Sequence, residues 1–314
     1  MSDVQKSLGL HLGLLALLFV LQFLLPAYHQ GNLARIMVLA TYAIGFNILF
    51  GYTGLLSLGH AMFFAAGMYG MALSIRHFGF SPGPAVLMGL LAGVALSAAV
   101  GALALRTVGV AFMIVTLMFA QAVYLTVLYF GEYTRGDEGF VIQQAERIFL
   151  GIDLSQPTER YFAAFALFSV CLLVSMWVVQ RPFGKVLIAI RENEDRAQML
   201  GYDVFRHKWG AVILSGTISA AAGAFYGLLF GYAGATFATV QYSILPLLWV
   251  LLGGAGTLIG PFIGALFTFY LIDIASGLTT AYMLIVGVVL VLLTLFAPQG
   301  IGGELRARLW RWLP

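Results

Sequence analysis

The stretch GYTGLLSLGHAMFFAAG, residues 51–67, sets four glycines, a threonine, a serine and a histidine between two apolar runs. Gly51, Gly54 and Gly59 permit a tight turn or unwound backbone. A bilayer tolerates such backbone only where it is buried in protein or lines a cavity, because lipid offers no hydrogen bonds to freed amides. A polar break of this kind inside a greasy chain reads as pore architecture.

The rest of the chain supplies the membrane context. Of 314 residues, 61% are hydrophobic and 9% charged, and the mean hydropathy is +0.96; a soluble domain carries about 25% charged residues. The chain is read as an all-α polytopic membrane protein, because about 20 apolar residues span a bilayer as a helix and the short alternating segments of a barrel are missing. Apolar runs predict about ten spans: 8–26, 33–50, 54–75, 84–105, 108–130, 161–179, 210–233, 243–256, 258–279 and 281–297. Whether 51–60 and 243–256 cross fully or re-enter stays open. The net charge of +3 does not indicate nucleic acid, since the basic residues sit in short stretches between spans. The single Cys171 lies in an apolar run and reads as packing.

Charge sets the topology. Residues 180–209 hold Arg181, Lys185, Arg191, Arg196, Arg206 and Lys208, which places them in the cytoplasm. Residues 131–160 hold six acidic residues against three arginines and are read as an external loop. The tail, with Arg306, Arg308 and Arg311, agrees with the first assignment, and counting spans puts both termini in the cytoplasm. Arg35 and Arg76 then fall on the outer side, against the rule.

Five spans per half would give the halves opposite orientations, a 5+5 inverted repeat. GYTG (51–54) and GYAG (231–234) occupy corresponding places, and small residues recur at four-residue steps in 85–101 and 256–264. Ordinary helix packing explains the same stripes.

GKVLIAIRENEDRAQMLG, 184–201, reads as one short amphipathic helix, with Val186, Ala189, Ile190, Asn193, Ala197 and Leu200 on one face. Glu192 with Arg196, and Arg191 with Asp195, are spaced as i, i+4 pairs on the other. By spacing alone this is either a helix lying on the membrane surface or a docking helix for a soluble partner.

Four motifs in order carry a resemblance over nearly the whole chain: GYTGLLSLGHAMFFAAGMYG (51–70), VTLMFAQ (115–121), RPFGKVLIAIRENEDRAQMLGYDVFRHKW (181–209) and GGAGTLIGPFIGAL (253–266). Together they are similar to the M-type permease subunits of branched-chain amino acid ABC importers. The resemblance implies an ABC importer permease fold in the bacterial cytoplasmic (inner) membrane, forming half of the translocation path. It implies as partners a second, H-type permease subunit, two ATP-binding subunits and a periplasmic amino-acid-binding protein, with ATP bound only by the ATPase partners and no cofactor on this subunit. It assigns 184–201 to the coupling helix, with Gly184, Arg191, Glu192, Asp195, Arg196 and Gly201 as the ATPase-coupling residues. The chain departs from the family in TRGDEGF (134–140), where Arg135 stands in the place of a glycine.

Polar residues at membrane depth are costly and usually face protein or a water-filled path. Asn47, Thr53, Ser57, His60, Thr116, Gln121 and Asp273 are therefore the candidates for the substrate path. For His60 the plainer reading is a hydrogen bond between helices, and for Asp273 an interfacial carboxylate near a helix end. No catalytic group or metal site is expected: the spans carry no HExxH, G-x-S-x-G, P-loop or aspartate dyad. The rivals are a permease for urea or short amides, with similar motifs, and an ion-coupled secondary transporter, which needs a buried carboxylate such as Asp273.

Overall fold

The structure, a computed structural model, describes residues 3–149, 151–297 and 299–308. In chain order the helices are α1 (Asp3–Leu24), α2 (Ala27–Asn47, continued by a π-helical turn Ile48–Tyr52), α3 (Ala61–Phe78), α4 (Pro82–Ala104), α5 (Val110–Tyr129), α6 (Gly131–Thr134), α7 (Pro157–Gln180), α8 (Pro182–Glu192), α9 (Glu194–Met199), α10 (Val204–Phe230), α11 (Val240–Gly253), α12 (Gly260–Leu278), α13 (Tyr282–Phe296) and α14 (Gly300–Arg308). Seven helices among the described residues are long and apolar enough to cross a membrane: α1, α2, α4, α5, α7, α10 and α12. The other three apolar runs form α3, α11 and α13.

The core is built around α2 and α10. α10 packs on α2, α3 and α4, while α2 packs on α7, α10, α11 and α12. From Leu33 to Leu49 every α2 side chain but Arg35 is buried, which explains why a helix deep in the bundle reads as continuously apolar. No hydrophobic force drives helices together in lipid, so close backbone approach must supply the packing. It does so between α3 and α10: a Cβ on Gly67 would collide with the Ala220 carbonyl, and one on Gly223 with the Phe64 carbonyl. Gly223→Leu should therefore abolish folded protein in detergent extracts, whereas Gly277→Leu, at an open position of α12, should leave the yield unchanged.

Neighbour relations repeat when α2 is exchanged with α10, α3 with α11 and α4 with α12. α3 lies on α4 as α11 lies on α12, α3 on α10 as α11 on α2, and α4 on α10 as α12 on α2. The first turns of α3 and α11 meet, with the Ala61 N–H donating to Ser243 Oγ at 2.9 Å.

Residues 131–156 form a small cap at one end of the bundle. Strand β1 (Phe140–Val141) pairs antiparallel with the later strand β4 (Tyr232–Ala233), and β2 (Ile148–Phe149) with β3 (Ile152–Asp153). The GYAG motif is thereby fastened to this acidic end. The Asp153 carboxylate accepts hydrogen bonds from Ser155 and Gln144, which hold it below the usual carboxylate range. Bonds that favour the charged form support the turn at neutral pH and lose that contribution only as acidification protonates the carboxylate. Arg135 is the one non-glycine among the described residues with a positive φ, 61°. That geometry favours glycine, which carries no Cβ to clash in the left-handed region. Arg135→Gly should leave stability unchanged or raise it by up to about 1 kcal/mol in a thermal melt, because relief of left-handed strain outweighs glycine's extra chain entropy.

Three expectations need correction. The 54–75 run is not one helix: residues 53–60 are irregular and α3 begins only at Ala61. Residues 184–201 are not one helix either. Asn193 is extended (φ −161°, ψ 108°) and its Oδ1 caps α9 by accepting from the Arg196 N–H at 2.9 Å, so α8 and α9 are separate. That break removes the helical register on which the Glu192–Arg196 and Arg191–Asp195 pairs depended, and neither pair forms. Met1 and residues 309–314, including Arg311, lie outside the described residues, so the orientation expected for the termini rests on sequence alone.

Candidate functional site

The break in α2 organises the end of the bundle opposite the acidic cap. α2 passes from α-helix to π-helix at Ile48, which widens the turn and lets Thr53 Oγ1 donate to the Ile48 carbonyl at 2.9 Å. Asn47, buried at the junction, reaches the GGAGT loop. Its Nδ2 donates to the Thr257 carbonyl at 2.8 Å, and its Oδ1 accepts from the Gly256 N–H at 3.0 Å. One side chain thus satisfies a donor and an acceptor 209 and 210 residues away in sequence.

Arg191, at the end of α8, closes the same knot. Its Nη1 donates to the Gly51 carbonyl, its stem lies against Gly54 (φ +77°), and a Cβ on Gly256 would sit 3.0 Å from Nη1. The glycines of GYTG and GGAG leave room for a guanidinium that a larger residue at either position would displace. A cavity of about 830 Å³ opens beside this knot, lined among others by Thr53, Gly54, Phe112, Arg191, Asn193 and Lys208. Lys208 pairs with Glu194 at 2.5 Å, fastening α9 to the start of α10.

Deeper in the bundle, His60 is fully buried and shares a 2.9 Å hydrogen bond through Nε2 with Ser215 Oγ, which donates to the Gly45 carbonyl. Its ring stacks on Tyr42 and meets Phe46 and Phe63 edge-on. His60 therefore joins α2, α3 and α10. Ser57 Oγ accepts from the Gly59 N–H, and Thr116 Oγ1 accepts from the Leu58 N–H at 3.3 Å while donating to the Met113 carbonyl.

Asn47, Thr53, Ser57, His60 and Thr116 are thus brought around the irregular stretch, where all but His60, which bonds the Ser215 hydroxyl, satisfy backbone. Gln121 is exposed on α5, apart from them. Asp273 also lies apart, half-buried late in α12, and accepts from Tyr28 at 2.7 Å. Among the coupling candidates, Gly184 packs on the backbone of Val179, Gly201 ends the segment with φ +88°, and Glu192, Asp195 and Arg196 are exposed.

Residues 30–296 match the sequence pattern of the family described as branched-chain amino acid transport system / permease component. The chain belongs to that family. It is a multi-pass membrane transport subunit, not an enzyme. It is 25% identical over 288 residues to the high-affinity branched-chain amino acid transport system permease protein LivM of Salmonella typhimurium, covering 84% of this chain and 68% of the relative. The Escherichia coli LivM protein matches to the same extent. A probable branched-chain amino acid transport permease protein LivM of Methanocaldococcus jannaschii is 34% identical over 90 residues, 28% of this chain and 26% of that relative. No solved structure matches the chain significantly.

In this branched-chain amino acid permease, sequence reasoning missed Ser215, Ser243 and Thr257, which complete the polar contacts of the break. Ser215 opens a stripe of small residues in α10, a signal that reads as packing alone. Arg191 was read as an outward charge, and its inward reach becomes visible only once α8 is docked on the break.

Proposed function

We propose that the chain is the M-type permease subunit of an ATP-driven importer for leucine, isoleucine and valine, forming half of the translocation path in the bacterial inner membrane. An H-type permease completes the path, two ATP-binding subunits drive it, and a periplasmic binding protein delivers substrate. The acidic cap faces the periplasm, and residues 180–209 with both termini face the cytoplasm. The observation that carries this reading is the Arg191 bond to Gly51, which ties the surface-exposed α8–α9 segment to the interrupted end of a buried helix. A push on α8 and α9 is thereby delivered to α2 and, through Asn47, to the loop before α12.

The exchange symmetry of α2, α3 and α4 with α10, α11 and α12 supports an inverted repeat, whose halves rock about the meeting point of α3 and α11. Glu192, Asp195 and Arg196 remain on the exposed side of α8 and α9 as the ATPase contact face. Asp273 is half-buried near the end of α12 and accepts from Tyr28, which favours its interfacial reading over the deep carboxylate that an ion-coupled carrier needs. Arg196→Glu should lower substrate-stimulated ATP hydrolysis by the assembled complex while membrane insertion stays normal. Full stimulation in that variant would show that this face does not dock. His60 holds helices together and relays no proton, so His60→Gln, which keeps a hydrogen-bonding group near Ser215, should retain uptake with an unchanged pH profile from about pH 6 to 8.

A further inference from the structure

At the acidic end two arginines sit over one ring and a third lies beside it. The Arg35 guanidinium carbon lies 4.9 Å from the centroid of Phe230, and that of Arg160 lies 5.7 Å from the same centroid. Arg147 Nη1 donates to the Leu229 carbonyl at 3.4 Å, and a Cβ on Gly231 would sit 2.9 Å from that nitrogen. The charges are near enough for Arg147 and Arg35 both to act on Arg160. Among the described residues none of the three forms an ion pair; Arg160 Nη2 donates to the Ser155 carbonyl at 2.5 Å, and the Nε atoms of Arg147 and Arg160 are buried without a hydrogen-bond partner. Arg35 is also the single exposed side chain between Leu33 and Leu49 on α2, about 12 Å along from the start of the helix. Three mutually repelling cations kept together with no ion-pair partner among the described residues call for an anion from outside.

The surroundings indicate which anion. Next to Phe230 lie Tyr226, at 4.7 Å between centroids, then Phe237 at 5.1 Å from Tyr226, and Tyr242 at 5.0 Å from Phe237. Tyr242 stacks on Tyr42, which stacks on His60. An aromatic column thus runs from the arginines to the break in the bundle. We propose that Arg35 and Arg160, with Arg147 adding to the field, receive the α-carboxylate of the substrate amino acid, and that Tyr226, Phe237 and Tyr242 receive its apolar side chain. Guanidinium groups match a carboxylate with two parallel donors, and aromatic faces accept both an aliphatic chain and the ammonium group of a zwitterion. The assignment rests on the import reading above and adds the place where the released substrate is first held.

The test uses the complete complex in vesicles with its binding protein, comparing the unsubstituted chain with Arg35→Gln and Arg160→Gln. Because Arg35 is exposed, its substitution leaves the core packing intact, and basal ATP hydrolysis with an intact assembly confirms folding. Leucine uptake at saturating binding protein should fall about tenfold or more in both variants, with the half-saturating concentration of binding protein unchanged. Without binding protein, saturation-transfer NMR should detect leucine on the unsubstituted complex, lose it in Arg35→Gln, and detect no leucinol, which lacks the carboxylate. Unchanged maximal uptake would overturn the proposal. So would a raised half-saturating concentration with maximal uptake intact, which would assign the arginines to a carboxylate of the binding protein. Equal loss in the unsubstituted complex when anionic lipid is replaced by zwitterionic lipid would assign them to a headgroup and overturn it too. If the unsubstituted complex carried a different carboxylate solute and no leucine, loss of that solute in both variants would uphold the arginine site while the branched-chain reading fell.

Discussion

Arg191→Ala is expected to reduce ATP-driven uptake by between about tenfold and a hundredfold, while the protein still inserts and assembles. A charge-assisted hydrogen bond contributes about 1.5–3 kcal/mol. Here it joins α8 to the interrupted end of α2, so its free energy adds to the coupling between them. The Arg191 guanidinium reaches the Gly51 carbonyl at the π-helical end of α2, while the backbone of α8 leads directly to the exposed Glu192 and to α9. Truncation leaves α8 docked on the bundle through Leu187, which is buried with Leu49, Met62 and Phe63, while Val186 and Ile190 pack on Ala197 of α9. Assembly should survive while force transmission fails. Basal ATP hydrolysis of the purified complex should persist, and its link to substrate uptake should be lost. Arg191→Lys should fall between the two, because an ammonium supplies the charge without the planar fork. Uptake by Arg191→Ala within about twofold of the unsubstituted chain would show that the bond transmits nothing.

Asn47→Ala is expected to act on stability. It strands the Gly256 N–H and the Thr257 carbonyl in a buried setting, where each unsatisfied group costs about 1–3 kcal/mol. The substitution should therefore cost about 2–6 kcal/mol locally, seen as a lowered melting temperature of the detergent-purified complex. Asn47→Asp separates the two bonds: a carboxylate keeps the acceptor for Gly256 but gives no donor to Thr257, and it buries a charge at membrane depth. It should be no better than alanine. Thr257 Oγ1 donates to the Gly254 carbonyl at 2.7 Å within the same loop, so Thr257→Val should weaken the loop further, and its effect should be non-additive with Asn47→Ala because they share one network.

The membrane class, the approximate places of the apolar runs and the break at 51–60 were legible because each depends on local composition: apolar length, glycine and the cost of polar groups in lipid. The motifs also carried the family. What stayed hidden depends on side chains reaching across long separations. Asn47 appeared as one polar residue in an apolar run, and nothing local marks a partner 210 residues away at Thr257. The helix at 184–201 was drawn too long because Asn193 fits both a polar helix face and an N-cap, and only its extended backbone decides between them. Arg35 read as an exception to the charge rule, whereas the ring of Phe230 and the nearby Arg160 give it a setting that no hydropathy pattern contains. Asp273 and Gln121 were chosen for polarity alone, and polarity does not reveal which face of a helix a residue occupies.

The most direct test of the central claim is uptake into proteoliposomes holding the complex of this chain, its H-type partner, the two ATP-binding subunits and the binding protein, with labelled leucine and labelled urea supplied in parallel. The account predicts leucine accumulation that requires both ATP and the binding protein, with no accumulation of urea. Accumulation of urea in place of leucine, or leucine uptake that persists when the ATP-binding subunits are left out, would contradict it.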